Sequence, residues 1–308
     1  MHRDFVVPML SSDKQWLGVG ITIEDAYAYP DATQKHMKKT KKIILFLILL
    51  FILIGMLFPL YWMIASSFSS KTSSILKISD LLPKGFTLKN YIDVWSYGPF
   101  PRFFFNSLFV AVMVTLGNMI FCLMVGYAFA RKIFRFKNVL FLSVIVVLMI
   151  PVHILIVPLF LIIKNLGWYD TYFALIVPWL VNPLGIFLMR QYIQALPKDL
   201  ENQARIDGAG EFRILFQIVA PLCKPALAVL AIQVFLVTWN SFLFPFILTS
   251  SEKMRTLPVA LALFQGYQTI DWSHLFAASS LSALPVIIMF LFFQRQIIAG
   301  LTAGAVKK

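Results

Sequence analysis

Six stretches of this chain carry no Asp, Glu, Lys or Arg: residues 43–65, 103–130, 139–163, 171–189, 225–248 and 275–293. Each is about 20 residues or longer, the length an α-helix needs to cross a bilayer. Their apolar residues do not form one stripe but fall on every side of a helix, as lipid-facing segments require. Inside hydrocarbon every backbone N–H and C=O must be paired within the protein, which leaves helices as the natural solution. Pro59, Pro151, Pro158, Pro178 and Pro245 interrupt the stretches, and neighbouring helices in a bundle can re-satisfy the groups they free. Composition agrees. The chain is 59% hydrophobic and 13% charged, against about 45–50% and about 25% in soluble domains. That excludes an ordinary cytosolic enzyme and a disordered chain. The predicted fold class is an all-α membrane protein with six transmembrane helices.

Basic residues set the orientation. With the N-terminus in the cytoplasm, the inside segments from residue 35 onward hold 17 Lys and Arg and the outside loops hold 8. The short loop 131–138, RKIFRFKN, is the cleanest marker. Both termini of a multi-pass protein are therefore expected in the cytoplasm, and MKKTKKIILFLILL from Met37 looks like the start of a bacterial plasma (inner) membrane protein. The first apolar run is longer than the usual signal-peptide core and no small-residue cleavage site follows, so it reads as an uncleaved span. The layout is then a cytoplasmic tail over 1–42 and a first span over 43–65. An extracytoplasmic loop follows over 66–102, then a five-helix core over 103–298 with a cytoplasmic loop at 190–224, and a tail over 299–308. Residues 1–36 are mixed in charge and without periodicity. They are either a genuine tail that is not essential or an upstream extension of a natural start at Met37.

Some chemistry is missing. The net charge of +13 would suggest nucleic acid in a soluble protein. Here it reads as basic cytoplasmic loops, with no nucleic-acid partner. Cys122 and Cys223 supply neither a disulfide framework nor a metal site. No HExxH, G-x-S-x-G or P-loop occurs. His153, alone among the histidines inside a stretch, is expected to be a neutral imidazole hydrogen-bonded between helices, with a proton site as the other reading. Secondary carriers usually keep a carboxylate in the membrane to bind the coupling ion. Its absence opposes a self-contained secondary carrier or channel, which is the alternative function.

The most informative segment is the cytoplasmic loop, QALPKDLENQARIDGAGEFRILFQIVAPLCKPALAV, residues 194–229. Pattern alone gives a short amphipathic helix after Pro197, a break at Gly208 and Gly210, and a second helix up to Pro221. The residues go further. The stretch resembles the coupling motif of ABC importer permeases, E-A-A-x-x-x-G followed by I-x-L-P. Asn202, Gln203, Ala204 and Gly208 occupy the first part, and Ile218, Ala220 and Pro221 the second. The RIDGA core at 205–209 is similar to the carbohydrate branch. The motif's leading Glu is Asn202 here. Glu201 precedes it, and adjacent helical positions differ by about 100°, so Glu201 does not take its place. PLYWMIASSF at 59–68, GFTLKNYIDVW at 85–95, PRFFFNSLFVA at 101–111, TWNSFLFPFIL at 238–248 and QRQIIAGLTAGAVKK at 294–308 resemble, in order, segments of the maltose-type second permease subunit.

That resemblance implies a type I ABC importer permease fold, with six spans, taking part in binding-protein-dependent sugar or oligosaccharide import. It implies four kinds of partner: a second homologous permease, two ABC ATPase subunits, an extracytoplasmic sugar-binding protein and the lipid bilayer. It implies no enzyme activity and no cofactor in this chain, with ATP and Mg bound by the ATPases. Glu201, Asn202, Gln203, Ala204, Asp207, Gly208 and Ala209 become the ATPase-coupling candidates, with Ala204 expected on the docked face and Gly208 at a turn. Polar groups inside the spans are candidates for the translocation path: Asn118, Asn182, Gln233 and Asn240, with Trp239 beside them. Amides and stacking aromatics suit sugars, but amides also bridge helices as polar glue. The outer loop 249–273 is too apolar for a solvated linker. It is either a membrane-surface helix or, by resemblance, a segment that probes the binding protein, with Gly266 and Tyr267 near its tip.

Overall fold

The computed structural model describes residues 39–70, 85–96, 98–267 and 272–305, with side chains described only over 41–263 and 272–294 of these ranges. The chain forms two compact units, Met1–Tyr61 and Trp62–Lys308. Residues 1–36 lie outside the described residues. Helix α1 (Lys39–Ser67) makes up what is described of the first unit and ends in the second. In the first unit its side chains are exposed all round, Phe51 at 79% and Met56 at 72%, as a helix facing lipid should be.

The second unit is built on three helices: α3 (Phe100–Arg131), α7 (Pro183–Ala195) and α11 (Lys224–Trp239). In lipid the drive to associate is close packing rather than burial from water, so small residues belong at the crossings. A Cβ on Gly126 of α3 would lie 2.6 Å from the Met189 Cβ and 3.0 Å from the Arg190 nitrogen. A Cβ on Gly185 of α7 would meet the Cys122 sulfur at 2.8 Å and Leu230 of α11 at 2.9 Å. Helix α14 (Trp272–Ala305) packs on α11, so the C-terminal stretch 294–305 continues as helix. A short helix, α2 (Lys89–Ser96), packs on α14. Asn90 of α2 donates to the carbonyls of Ser67 and Ser69, pinning it to the end of α1.

Three expected spans are not simple rods. The stretch 139–163 is two helices, α4 (Lys137–Leu148) and α5 (Ile156–Asn165), turned by 94° about a 3₁₀ turn at Val152–Leu155. Pro151 explains the break, because it has no N–H to donate and biases Ile150 away from helix. The stretch 171–189 is α6 (Tyr172–Ile176), a 3₁₀ turn at Val177–Trp179 carrying Pro178, and α7. The stretch 225–248 is regular only to Trp239 and resumes as α12 (Leu243–Leu248) around Pro245. Between α7 and α11 lie α8 (Asp199–Ile206), α9 (Glu211–Arg213), a π-helical stretch at Ile214–Val219 and α10 (Ala220–Leu222). Among the described residues, four helices are long and apolar enough to cross a membrane, or up to six spans if each bent pair counts as one.

Candidate functional site

The helix breaks converge on one cavity of about 1000 Å³. It lies between α3, the 148–155 break, the 178–183 break, α11 and α12. Irregular backbone at membrane depth is tolerated where it lines a cavity. Gln233, Val237 and Asn240 follow one face of α11 into it. Four of the five path candidates line this cavity: Asn118, Asn182, Gln233 and Asn240. Their roles differ. Asn118 is buried and donates to the carbonyls of Val114 and Trp179, bridging α3 to the broken fourth span. Asn182 caps α7 by accepting from the Leu184 N–H at 2.9 Å. Asn240 donates to the Leu236 carbonyl one turn back. The Gln233 amide makes no hydrogen bond with any described residue and remains open to a ligand. Trp239 corrects the expectation. It is 3% exposed, stacks on Phe235 and donates to the Ser282 carbonyl, so it belongs to the α11–α14 packing. One residue before Asn240, it points about 100° away from that face. His153 is also displaced from its expected role. It is exposed at the cavity and lies against the Phe244 ring, 6.0 Å between centroids, instead of bonding between helices.

Sequence reasoning missed an outer cluster that holds the loop 249–257. Asn106 of α3 donates to the carbonyls of Lys253 and Arg255, and Ser107 accepts from the Leu257 N–H. Asp170 accepts from the backbone N–H groups of Ser250 and Ser251. Burial alone would raise its carboxyl. The hydrogen bonds from Ser251 and Ser250 outweigh that and hold it below the usual carboxylate range. The loop continues into α13 (Leu257–Tyr267), as a surface-helix reading requires. Gly266 and Tyr267 end α13, and their side chains lie outside the described residues.

At the opposite end sits the coupling candidate. Glu201, on α8, is 3% exposed and faces the bundle. The Arg131 Nε donates to its Oε1 at 2.7 Å, with both side chains 4% exposed. A terminal nitrogen of Arg131 donates to the Leu196 carbonyl at 2.8 Å. The end of α3 thereby grips both sides of the turn from α7 to α8. Glu211 completes the network. It pairs with Lys132 and Arg205, and Tyr127 donates to it at 2.9 Å. The Lys132 ammonium, together with Arg205 and Tyr127, holds the Glu211 carboxyl down to about 2 against the opposing effect of burial.

Helix α8 ends in the arrangement that Gly208 implied. Its φ is +80°. The Gly208 N–H reaches the Arg205 carbonyl and the Ala209 N–H reaches the Ala204 carbonyl. This is the double C-terminal bond set of a Schellman turn, in which glycine takes the left-handed position. Ala204, expected on the docked face, and Ala209 are both partly buried against this chain's own core. The outward face consists of Asn202, Gln203, Asp207 and Gly208 together with Ile206, 85% exposed, and Phe212, 70% exposed. Arg205 donates to the side-chain Oδ1 of Asn202 at 3.1 Å, so Asn202 caps a cation of its own helix. Ile206 and Phe212 were legible as apolar residues in a polar loop. Among the described residues, no group of three or more His, Cys, Asp or Glu could hold a metal ion.

The family described as binding-protein-dependent transport system inner membrane component matches residues 122–302. The arabinooligosaccharides transport system permease protein AraQ of Bacillus subtilis is 37% identical over 255 residues, 82% of this chain and 90% of that protein. The trehalose/maltose transport system permease protein MalG of Thermococcus litoralis is 38% identical over 272 residues, 87% of this chain and 97% of that protein. A chain of a bacterial ABC transporter involved in the import of the acidic polysaccharide alginate shares the fold, with a TM-score of 0.76 at 23% identity. The match covers 84% of this chain and 97% of that one. With the family covering more than half its length and these permeases aligned over most of it, the chain belongs to the binding-protein-dependent transport system inner membrane components, the permeases of ABC importers.

Proposed function

We propose that this chain is one of two permease subunits of a sugar or oligosaccharide importer, coupled through α8 to ATPases that bind ATP and Mg. An extracytoplasmic binding protein delivers the solute, and residues 131–138 and 190–224 face the cytoplasm. The observation that carries the coupling role is the pairing of a gripped helix with an apolar outer face. Arg131 holds α8 to α3 from within, while Ile206 and Phe212 stand exposed on a short polar hairpin. Motion of a protein seated on that face would move α8 and α3 together. The cavity side supports transport by position, with the open Gln233 amide at helix breaks that can rearrange. Among its lining residues there is no Asp or Glu, the groups that carriers driven by a proton or sodium gradient usually keep in the membrane. Oligosaccharide as substrate rests on the likeness to AraQ and MalG.

The test is reconstitution. Liposomes holding the chain with its partner permease, ATPases, binding protein and internal ATP should accumulate sugar. Liposomes holding this chain alone should neither hydrolyse ATP nor accumulate sugar on a proton gradient. Gradient-driven accumulation by the chain alone would refute the proposal.

A further inference from the structure

Where α4 meets α7, Arg190 is in an unusual position. Its guanidinium carbon lies 3.9 Å from the centroid of the Phe141 ring, and Phe141 in turn stacks on Phe187. The ring fixes the guanidinium in place through a cation–π contact. Yet the Nε is sealed from solvent with no hydrogen-bond partner, and the side chain reaches no acceptor among the described residues. An arginine carries five donors in a planar fork suited to carboxylate or phosphate oxygens, and a buried donor without an acceptor calls for an explanation.

The neighbouring charges not already paired with a carboxylate include two further lysines. Lys137, one turn before Phe141 on the same face of α4, donates to the Lys132 carbonyl at 2.8 Å. Arg190 and Lys198 both act on it as repelling like charges. None of the three pairs with a carboxylate among the described residues. Asp199 is exposed and pairs with none of them, and the nearby Glu201 and Glu211 belong to Arg131, Lys132 and Arg205. Beside the cluster, Ile133 is 99% exposed and Phe136, at φ +62°, is 61% exposed with Arg135 over its ring. Apolar side chains held open between basic ones at the end of a span fit the headgroup level of a bilayer. The described side chains of α4 beyond this point are mostly exposed and apolar.

We propose that Arg190, Lys137 and Lys198 form a binding site for a phosphate group, supplied by an anionic phospholipid of the leaflet that meets this end of α4. Arg190, pre-set by Phe141, offers the fork, the two lysines supply charge, and Ile133 and Phe136 enter the acyl boundary. The placement in the cytoplasmic leaflet rests on the orientation proposed above. Labelling of a single cysteine at position 135 from outside tests that orientation separately.

The experiment uses the assembled transporter, extracted from vesicles of phosphatidylcholine with about one fifth phosphatidylglycerol. Phosphatidylglycerol retained per complex is counted by native mass spectrometry. Wild type should retain it, and Lys137→Gln/Arg190→Gln should retain at least fivefold less. Arg213→Gln removes a charge from the same side, where the guanidinium contacts only Gln217, and should retain as much as wild type. Should the Arg190 variant fail to assemble, Lys137→Gln/Lys198→Gln carries the same expectation without touching a buried side chain. Equal retention by the double variant overturns the site, and so does an equal loss in Arg213→Gln. Displacement of the lipid by 10-fold excess inorganic phosphate would assign the site to a free anion and overturn the lipid. Loss of the partner permease with lipid retained would make Arg190 a subunit contact and likewise overturn it.

Discussion

Glu201 and Asn202 are neighbours in sequence with opposite duties. Glu201 turns inward to Arg131, and Asn202 turns outward and accepts from Arg205. The 100° step between adjacent helical residues was readable from the sequence. The partner of Glu201 was not, because Arg131 lies 70 residues earlier and nothing local marks the pairing. Trp239 failed for a related reason. Its neighbourhood with Asn240 suggested a shared site, while its own helical phase directs it to Ser282. The Arg131–Glu201 pair gives the residue-scale prediction. Removing one member of a buried pair strands the other charge at a cost of about 3–5 kcal/mol, whereas replacing both by apolar residues of similar size is near neutral. Glu201→Gln and Arg131→Met should each lower the thermal unfolding midpoint of the purified assembly and abolish ATP-driven uptake. Arg131→Met/Glu201→Leu should recover the midpoint but not the uptake, because the apolar pair packs without the fork that also holds Leu196. A double variant that transports normally would reduce the pair to a stability element.

The elements show where hydropathy stops being informative. A charge-free run reports that a segment belongs in the bilayer, and each of the six runs is built mainly of helix in the structure. It does not report direction. The 94° turn at Pro151, the 3₁₀ turn at Pro178 and the gap at Asn240–Phe242 sit inside runs that look uniform. The prolines marked these places, but only the packing decides whether a proline kinks a helix or ends it. Those three breaks surround the cavity, so the least regular backbone is also the backbone that lines it. The element-scale prediction follows from the face of α11. Gln233→Leu removes the one cavity amide without an internal partner and should lower uptake at least tenfold while leaving assembly intact. Asn240→Leu, whose amide is tied to Leu236, should have less effect. Asn118→Leu loses the α3–Trp179 bridge and should reduce the amount of assembled complex. Measuring uptake and assembled yield side by side separates these three roles.

At the scale of the whole molecule, the chain reads as a relay with two working ends and a close-packed middle. The outer end is tied by Asn106, Ser107 and Asp170 to the loop that leads into α13. The inner end is tied by Arg131 to α8. Between them, α3 runs the whole way, crossing α7 at glycines that a side chain would force apart. The family, the apolar spans and the helix–turn at Gly208 were legible in the sequence, because apolar runs and a short ordered motif survive without a structure. Ile206 and Phe212 were visible there as apolar residues but were not singled out, because the motif's small residues drew attention to Ala204 and Ala209, which in the fold serve the turn itself. Ile206 and Phe212 both stand exposed on the outward face. The central claim is that this face seats the ATPase. Co-purification of the ATPase from detergent extracts with Ile206→Asp measures it most directly, since a carboxylate placed without a partner in a protein interface costs several kcal/mol and each 1.4 kcal/mol is tenfold in affinity. The account predicts that Ile206→Asp inserts and pairs with its partner permease as wild type does, yet loses the ATPase and uptake together. Wild-type amounts of ATPase on Ile206→Asp, with wild-type uptake, would contradict it.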